Sequence, residues 1–369
     1  MRKKLFGLLA LFLFFSTFAN ISTAQDHPSS EQIKETIKKE VDNGRSVSIV
    51  VGIINEQGQK VISYGKVSRD SKEEANGDTL YEIGSITKTF TAIILEDMIE
   101  QGDLNLSDPI SKFLPKSVKT PTRNGKEITL LDLVTHHSGL PRRPDNMKPN
   151  PNNPYSDYTV DQLYDFLSSY QLTRDIGEKF EYSNLGFGLL GHILCLKTGL
   201  DYETLVHRYI RGPFKMNSTV VKLTPEFKSR MATGHDKKGT PVENWDVSTL
   251  AGAGALHSST NDMLIYVGAN LGLIKTDLAH VMQQTHIMIN SGTPYYTIGM
   301  AWLISRRFGN EIIWHNGLTG GFQTFIGFDE KNKTGVVVLS NSANRIDDLG
   351  FHFLNSFIPV EEYHKETNK

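Results

Sequence analysis

The 369-residue sequence predicts an α+β fold: an α/β sandwich lobe, whose mostly antiparallel sheet comes from both chain ends and is flanked by helices, with an all-helical lobe inserted. Three observations predict it. Runs rich in β-branched and aromatic residues stand at 46–67 and return between 296 and 340. The stretch between them carries apolar residues at helical spacing in seven segments. Long polar loops containing proline join those segments, notably 142–157. Strands at both ends and helices in the middle are most simply satisfied by one sheet made from the two ends.

The elements follow in order. Residues 31–41 read as a short amphipathic helix. Residues 46–54 form a strand, Asn55 to Gln59 a turn, and 60–67 the second strand of a hairpin. After Ser85 the pattern becomes helical at 86–101, 130–137, 160–169, 185–198, 202–211, 260–271 and 276–288. Strands are expected at 296–305, 311–315, 322–329 and 335–340, and a closing helix at 347–357. The sheet lobe therefore spans about 29–84 and 290–358 and the helical lobe about 86–289, within one domain covering 25–369. A cleft between the lobes is where a ligand is expected to bind.

Composition narrows the function. Apolar residues make up 38% and charged residues 22%, which suits a core large enough to need no staple. The net charge of −2, with no basic stripe, argues against nucleic acid as a partner. Residues 1–24 read as a secretory signal: basic Arg2, Lys3 and Lys4, an apolar run over 5–18, and small residues at Ser22, Thr23 and Ala24 before the cut. The same run read as an anchor is short of the roughly 20 residues a spanning helix needs. Export with cleavage near Ala24 follows, to the periplasm or beyond the cell, with membrane contact only through the transient signal. Losing those three basic residues takes the net charge from −2 to −5, unfavourable for anionic membrane surfaces. The single cysteine, Cys195, lies in an apolar helical run and is expected to be an inert thiol.

Three short segments carry candidate chemistry. Ser85-Ile86-Thr87-Lys88 follows Gly84 and opens a helix, so the hydroxyl and the amine lie one turn apart on one face. A serine nucleophile needs a base and an oxyanion site, and a buried lysine with a lowered pKa supplies a base. The same residues also read as a helix cap beside a solvated lysine. Tyr182-Ser183-Asn184 precedes another helix. Held beside one or two cations, the Tyr182 phenol can act as a phenolate and take the proton from Ser85, and Asn184 has a donor and an acceptor to orient Lys88 or a substrate amide. A capping Asn and a half-buried Tyr fit as well. Trp314-His315-Asn316-Gly317-Leu318 closes a predicted strand, where Gly317 would admit a substrate backbone and the Leu318 N–H would face an oxyanion. A strand ending in a turn is the plain alternative. His136, His137 and His257 lack the spacing of a metal site.

Together, in this order, these segments resemble the serine hydrolase family of class C β-lactamases, DD-peptidases and related esterases. That family carries Ser-x-x-Lys, Tyr-x-Asn and a Lys-Thr-Gly or His-x-Gly triplet, and the likeness runs from about residue 41 to 357. The runs Leu133 to Pro141 and Ala251 to Met263 support it. The resemblance implies a two-lobed β-lactamase/transpeptidase-like fold and acyl transfer. Ser85 attacks a carbonyl, Lys88 and Tyr182 share the base work with Tyr182 the favoured acceptor, and the N–H groups of Ser85 and Leu318 hold the oxyanion. Asn184, His315, Asn316, Gly317 and Arg143 (or its neighbour Arg142) support the substrate. No metal or organic cofactor is implied. The expected partner is a small-molecule or peptide substrate.

The third triplet departs from the Lys-Thr-Gly form, because His315 and Asn316 replace its cation and its hydroxyl. A histidine mostly neutral at pH 7 holds a carboxylate less firmly. Either Arg142 or Arg143, following the Ser138 to Pro141 run, would supply that charge, and a solvated basic pair is the plain alternative. Amide bonds of β-lactams or D-alanine-type peptides are the expected substrates. Short acyl esters are the alternative, favoured by His315 and the apolar Trp314, Leu318 and Phe322. A non-turnover wall-fragment or penicillin sensor is the third reading.

Overall fold

The computed structural model describes residues 27–360 except 149, 151 and 308, so the expected signal segment lies outside the described residues. Elements that position the site are, in chain order, α1 (Ser30–Asp42), β1 (Ser48–Asn55), β2 (Gly58–Gly65), β3 (Leu80–Glu82), α2 (Thr87–Glu100), α3 (Leu130–Val134), α4 (Val160–Ser169), α5 (Asn184–Thr198), β4 (His257–Ser259) and α6 (Thr260–Asn270). They continue with β5 (Asn290–Thr293), β6 (Tyr296–Ile298), β7 (Leu303–Arg307), β8 (Asn310–Leu318), β9 (Gln323–Asp329), β10 (Thr334–Ser340) and α7 (Asp347–Leu354).

Eight strands form one antiparallel sheet in the order β2-β1-β10-β9-β8-β7-β6-β5. The first strand of the chain pairs with the last, Ile49 opposite Ser340 through Ile54 opposite Gly335. Both strands are buried on both faces, β10 along its whole length, so neither can stand at a wet edge. Alternation along β1 and β10 divides the core. Val50, Ile54, Val337 and Leu339 face α6 and the inserted helices, while Ile49, Val51, Val336 and Val338 face α1 and α7. On α1, Ile33 and Ile37 are one turn apart and buried, and a Ser29–Gln32 capping box fixes the helix start.

The inserted part is built on α2, which is buried from Thr87 to Met98. Its threonines tie it to the surrounding chain. The Thr91 hydroxyl donates to the Gly252 carbonyl at 2.8 Å, and the Thr87 hydroxyl accepts the Leu256 N–H at 3.2 Å. Helix α5 packs on the same 251–253 turn so closely that a Cβ on Gly191 would lie 2.8 Å from the Gly252 Cα. Only two glycines facing each other allow that approach.

The inserted part is not all helical. A two-stranded pair, β3 with β4, lies beside the site, and further short pairs join 122–127 and 234–242. The expected strand 296–305 is two strands, because the chain turns at Gly299 and at Ala301, whose φ of 67° is left-handed. β5 at Asn290–Thr293 extends the sheet further than the sequence predicts. The expected helix 202–211 gives way after Val206 to a π-helical turn. The strand expected at 311–315 runs on to Leu318, which changes the faces of its last residues.

The Gly191–Gly252 contact yields the first prediction. Gly191→Ala forces the 251–253 turn away from α5, costing about 1–3 kcal/mol of stability, the usual range for overpacking. Activity falls by more than the loss of folded protein, because that turn carries a partner of Lys88. Thermal unfolding and turnover by the remaining folded enzyme check it, and an unchanged melting temperature refutes the packing argument.

Candidate active site

Ser85 sits in a 3-10 turn, Gly84–Ile86, that runs into α2. Gly84 takes φ +50°, which a glycine adopts without strain, and a Cβ there would lie 3.0 Å from the Leu318 N. The turn is thus pressed against β8. Gly317 makes this possible from the other side, since a Cβ on it would be 2.0 Å from the Ile83 carbonyl oxygen. The sequence suggested that Gly317 makes room for a substrate. The room is used by the chain's own Ile83 carbonyl, which also accepts the Thr324 hydroxyl at 3.1 Å.

Lys88 is completely buried. Its Nζ lies 2.9 Å from Ser85 Oγ, 2.9 Å from Asn184 Oδ1 and 2.6 Å from the Ala253 carbonyl oxygen. Asn184 is the first residue of α5, and Ser183 caps that helix by accepting the Gly186 N–H at 2.8 Å. Asn184 in turn donates through Nδ2 to the Tyr155 hydroxyl at 3.0 Å. Tyr182 engages the Ser85 hydroxyl, and its ring centre is 4.9 Å from Lys88 Nζ. Ser85 and Tyr182 keep partial exposure, so the cluster opens to solvent on their side.

His315 faces the same cluster, its ring 6.3 Å from that of Tyr182. It is 1% exposed. Its Nδ1 lies 2.6 Å from the Asn316 carbonyl oxygen, a group that can only accept, so the proton is on Nδ1. Nε2 is then a bare acceptor, buried and without a hydrogen-bond partner among the described residues. Asn316 points elsewhere. Alternation on β8 puts Ile313, His315 and Gly317 on the inner face and Trp314 and Asn316 on the outer. The Asn316 amide donates to Asp347 Oδ1 at 3.0 Å, on α7. The expectation that it supports substrate is corrected accordingly. The Leu318 side chain is exposed, and its backbone N is the atom near Gly84. Of the two arginines, Arg142 lies 5.0 Å from the Tyr182 ring centre and Arg143 is exposed beside it.

Burial sets the protonation states. It pulls the Lys88 amine well below the ordinary lysine range, with Arg142 adding to the effect. It pushes the Tyr182 phenol up, against the opposing pull of Ser85 and Arg142. It drives His315 down to about 3, helped by Lys88. Burial thus works in favour of the uncharged amine, phenol and imidazole. The Cys195 thiol, half-buried on α5, is pushed up to about 12 by burial and is unreactive there.

Ser85, Lys88, Tyr182, Asn184 and His315 are thus brought together as the sequence suggests. Tyr155, the Ala253 carbonyl and His136 are additions. Ala253 belongs to the Ala251 to Met263 run that supports the resemblance, whereas Tyr155 sits in the long loop with no signal of its own.

The Beta-lactamase family model matches residues 33–355. A D-alanyl-D-alanine-carboxypeptidase/endopeptidase AmpH of Escherichia coli is 27% identical over 357 residues, covering 91% of each chain. A β-lactamase of Pseudomonas fluorescens is 25% identical over 84% of this chain and 92% of its own. The crystal structure of a class C β-lactamase from Rhodobacter sphaeroides superposes with a TM-score of 0.74 at 25% identity, over 85% of this chain and 94% of that one.

The depressed histidines predict acid lability. His257 on β4, beside the strand leading to Ser85, is held down to about 4 by burial. Unfolded, it takes a proton near its ordinary pKa of ~6.5. Between those values the unfolded chain binds more protons, so this contribution to stability is whole above pH ~6.5 and is lost as pH falls towards 4. His257→Leu is therefore expected to gain on the parent by on the order of 2–3 kcal/mol between pH 7 and pH 4. Denaturant unfolding at both pH values checks it, and a constant difference refutes it.

Proposed function

The chain belongs to the Beta-lactamase family and is one of its serine hydrolases, and on that premise we propose an exported acyl-transfer enzyme whose nucleophile is Ser85. The observation that carries the reading is the buried Lys88 amine within hydrogen-bond reach of the Ser85 hydroxyl, with Tyr182 on the same oxygen. The signal-like segment at 1–24 supports export.

The proton path follows from the partners. Asn184 Oδ1 and the Ala253 carbonyl oxygen can only accept, so they use both N–H bonds of a neutral amine. Its lone pair is left for Ser85. Lys88 takes the Ser85 proton as Oγ bonds to the substrate carbonyl carbon. The sequence favoured Tyr182 for this step, and burial reverses the order, since it lowers Lys88 and raises Tyr182. The carbonyl oxygen becomes an oxyanion between the backbone N–H groups of Ser85 and Leu318, each donor worth about 3–4 kcal/mol in such sites. As the intermediate collapses, the C–N bond breaks and the Tyr182 phenol gives its proton to the leaving amine. Lys88 passes its proton to Tyr182. Water then attacks the acyl carbon, giving up a proton through the same pair, and Ser85 is released with its hydroxyl restored.

Amide bonds of β-lactams or D-alanine-type peptides are the substrates that fit best, in line with what the names of the E. coli and P. fluorescens relatives say of those proteins. Arg142, exposed over the Tyr182 ring, supplies a cation for a substrate carboxylate at the rim. Short esters are the second reading, favoured by one observation: His315 is neutral where the Lys-Thr-Gly form has a cation.

Two tests follow. Ser85→Ala is expected to abolish hydrolysis of a D-alanyl-D-alanine peptide, a chromogenic cephalosporin and a p-nitrophenyl ester while the fold stays intact, and to take up no penicillin adduct by intact mass. Residual turnover would remove Ser85 from its role. A lasting adduct on the parent enzyme would instead favour a sensor. His315→Lys is expected to lower KM for the cephalosporin by about tenfold, in keeping with a charge-assisted hydrogen bond. An unchanged KM means that residue 315 does not meet the carboxylate.

A further inference from the structure

Tyr182 belongs to no helix or strand, so nothing in regular structure aims its phenol. The N–H groups on either side of it both end on one residue. Glu181 N–H donates to the His136 carbonyl oxygen at 2.9 Å, and Ser183 N–H donates to His136 Nδ1 at 3.0 Å. The same imidazole lies against the phenol ring, 4.4 Å between centres and tilted by 30°, with Phe187 and Phe180 packed on it. We propose that His136 is the positioning residue of the catalytic tyrosine, a clamp that takes both flanking N–H groups and backs the ring so that the phenol meets Ser85.

Three features separate this from ordinary packing. His136 has φ +61°, a left-handed backbone that residues with a side chain seldom adopt and that clusters at functional sites. That backbone turns the carbonyl and the ring towards the same segment. Its Nε2 is buried with no hydrogen-bond partner among the described residues, a cost that an apolar side chain would avoid. Finally, Nδ1 must be an acceptor, so the proton sits on Nε2 and the ring must be neutral. A protonated ring would set N–H against N–H at Ser183. Burial, with Lys88, His315, His137 and Arg142 around it, holds the ring in that neutral state.

The inference rests on the reading of Tyr182 as proton donor to the leaving group, and the experiment separates the two. A D-alanyl-D-alanine peptide or an ethyl ester needs a proton on its leaving group, whereas p-nitrophenolate leaves without one. Tyr182→Phe should slow the first class by roughly 10²- to 10⁴-fold and the p-nitrophenyl ester much less. His136→Phe keeps a ring but no acceptor. It should reproduce that split in weaker form: kcat down about 10- to 100-fold for the proton-requiring substrate, KM within about twofold, and the p-nitrophenyl ester within about threefold. His136→Asn puts Oδ1 in place of Nδ1 and tolerates the left-handed backbone, so it should restore kcat to within about fivefold. A split for Tyr182→Phe but equal losses, or none, for His136→Phe overturns the clamp alone. No split for Tyr182→Phe overturns the donor reading and the clamp with it. Should the phenylalanine variant not fold, His136→Met takes its place, and ¹⁵N shifts of the parent decide the tautomer: Nε2–H is expected, and Nδ1–H refutes the clamp.

Discussion

The rest of the structure depends on one buried amine. Lys88 has no exposed surface, and an unpartnered amine in such a place would be too costly to keep. Its three oxygen partners come from three parts of the chain: its own helical turn, the first residue of α5, and the 251–253 turn. Each is held by something else. Tyr155 orients Asn184, the Gly191–Gly252 contact and Thr91 fix the turn, and β8 presses the Ser85 turn into place. The fold is thus a device for bringing three oxygens to one buried nitrogen. The long helices α2 and α5 supply rigidity for the purpose.

How much of this was legible depended on the kind of group involved. The sheet was legible because apolar runs at both ends are long enough to demand burial on two faces, and β1 and β10 pair as inner strands of the sheet. Ser85 and Lys88 were legible because three residues are one turn of a helix. Tyr182 and His315 are far apart in the chain, and no local rule joins them; the family motifs did. Asn316 was misread because the strand was ended three residues early. Carried to Leu318, the alternation of two puts residue 316 on the outer face with Trp314. Ala253 acts through a carbonyl, which every residue has, so its identity carries no signal. His136 carries no signal in the sequence beyond its place in the Leu133 to Pro141 run, because its effect is on the backbone of residues 181 and 183.

Replacing a lysine by His315 does more than weaken a charge. A lysine ammonium presents donors. His315 spends its one proton on the carbonyl of its own neighbour, Asn316, and presents a lone pair. That reverses the hydrogen-bonding sense of this wall, which now suits a donor better than a carboxylate. The fixed cation is left at the open rim, on Arg142. A guanidinium there binds an anion in competition with water and salt, so electrostatic recognition is weaker and more easily screened than in a closed site. Under the proposed function, a polar but uncharged interior and a charged rim place modest demands on substrate charge.

The same neutrality decides the direction in which the proton travels. Were Lys88 an ammonium, all three of its hydrogens would be matched by acceptors and Ser85 would have no base but the phenol. Burial makes that state costly, and Arg142 adds repulsion. Were Tyr182 a phenolate, it would need that ammonium beside it to offset its own burial. The two charged forms are therefore mutually dependent, and the proposed mechanism starts from the neutral pair that burial favours. Lys88 then has one lone pair and Tyr182 one proton, and both groups are on the Ser85 oxygen. In the proposed mechanism, attack places a positive charge on Lys88 at the moment the oxyanion forms. Transfer through Tyr182 to the leaving group discharges both. The buried amine is hence costly to charge in the resting enzyme and cheapest to charge in the transition state, which is the condition for a base that accelerates the reaction instead of merely binding its substrate.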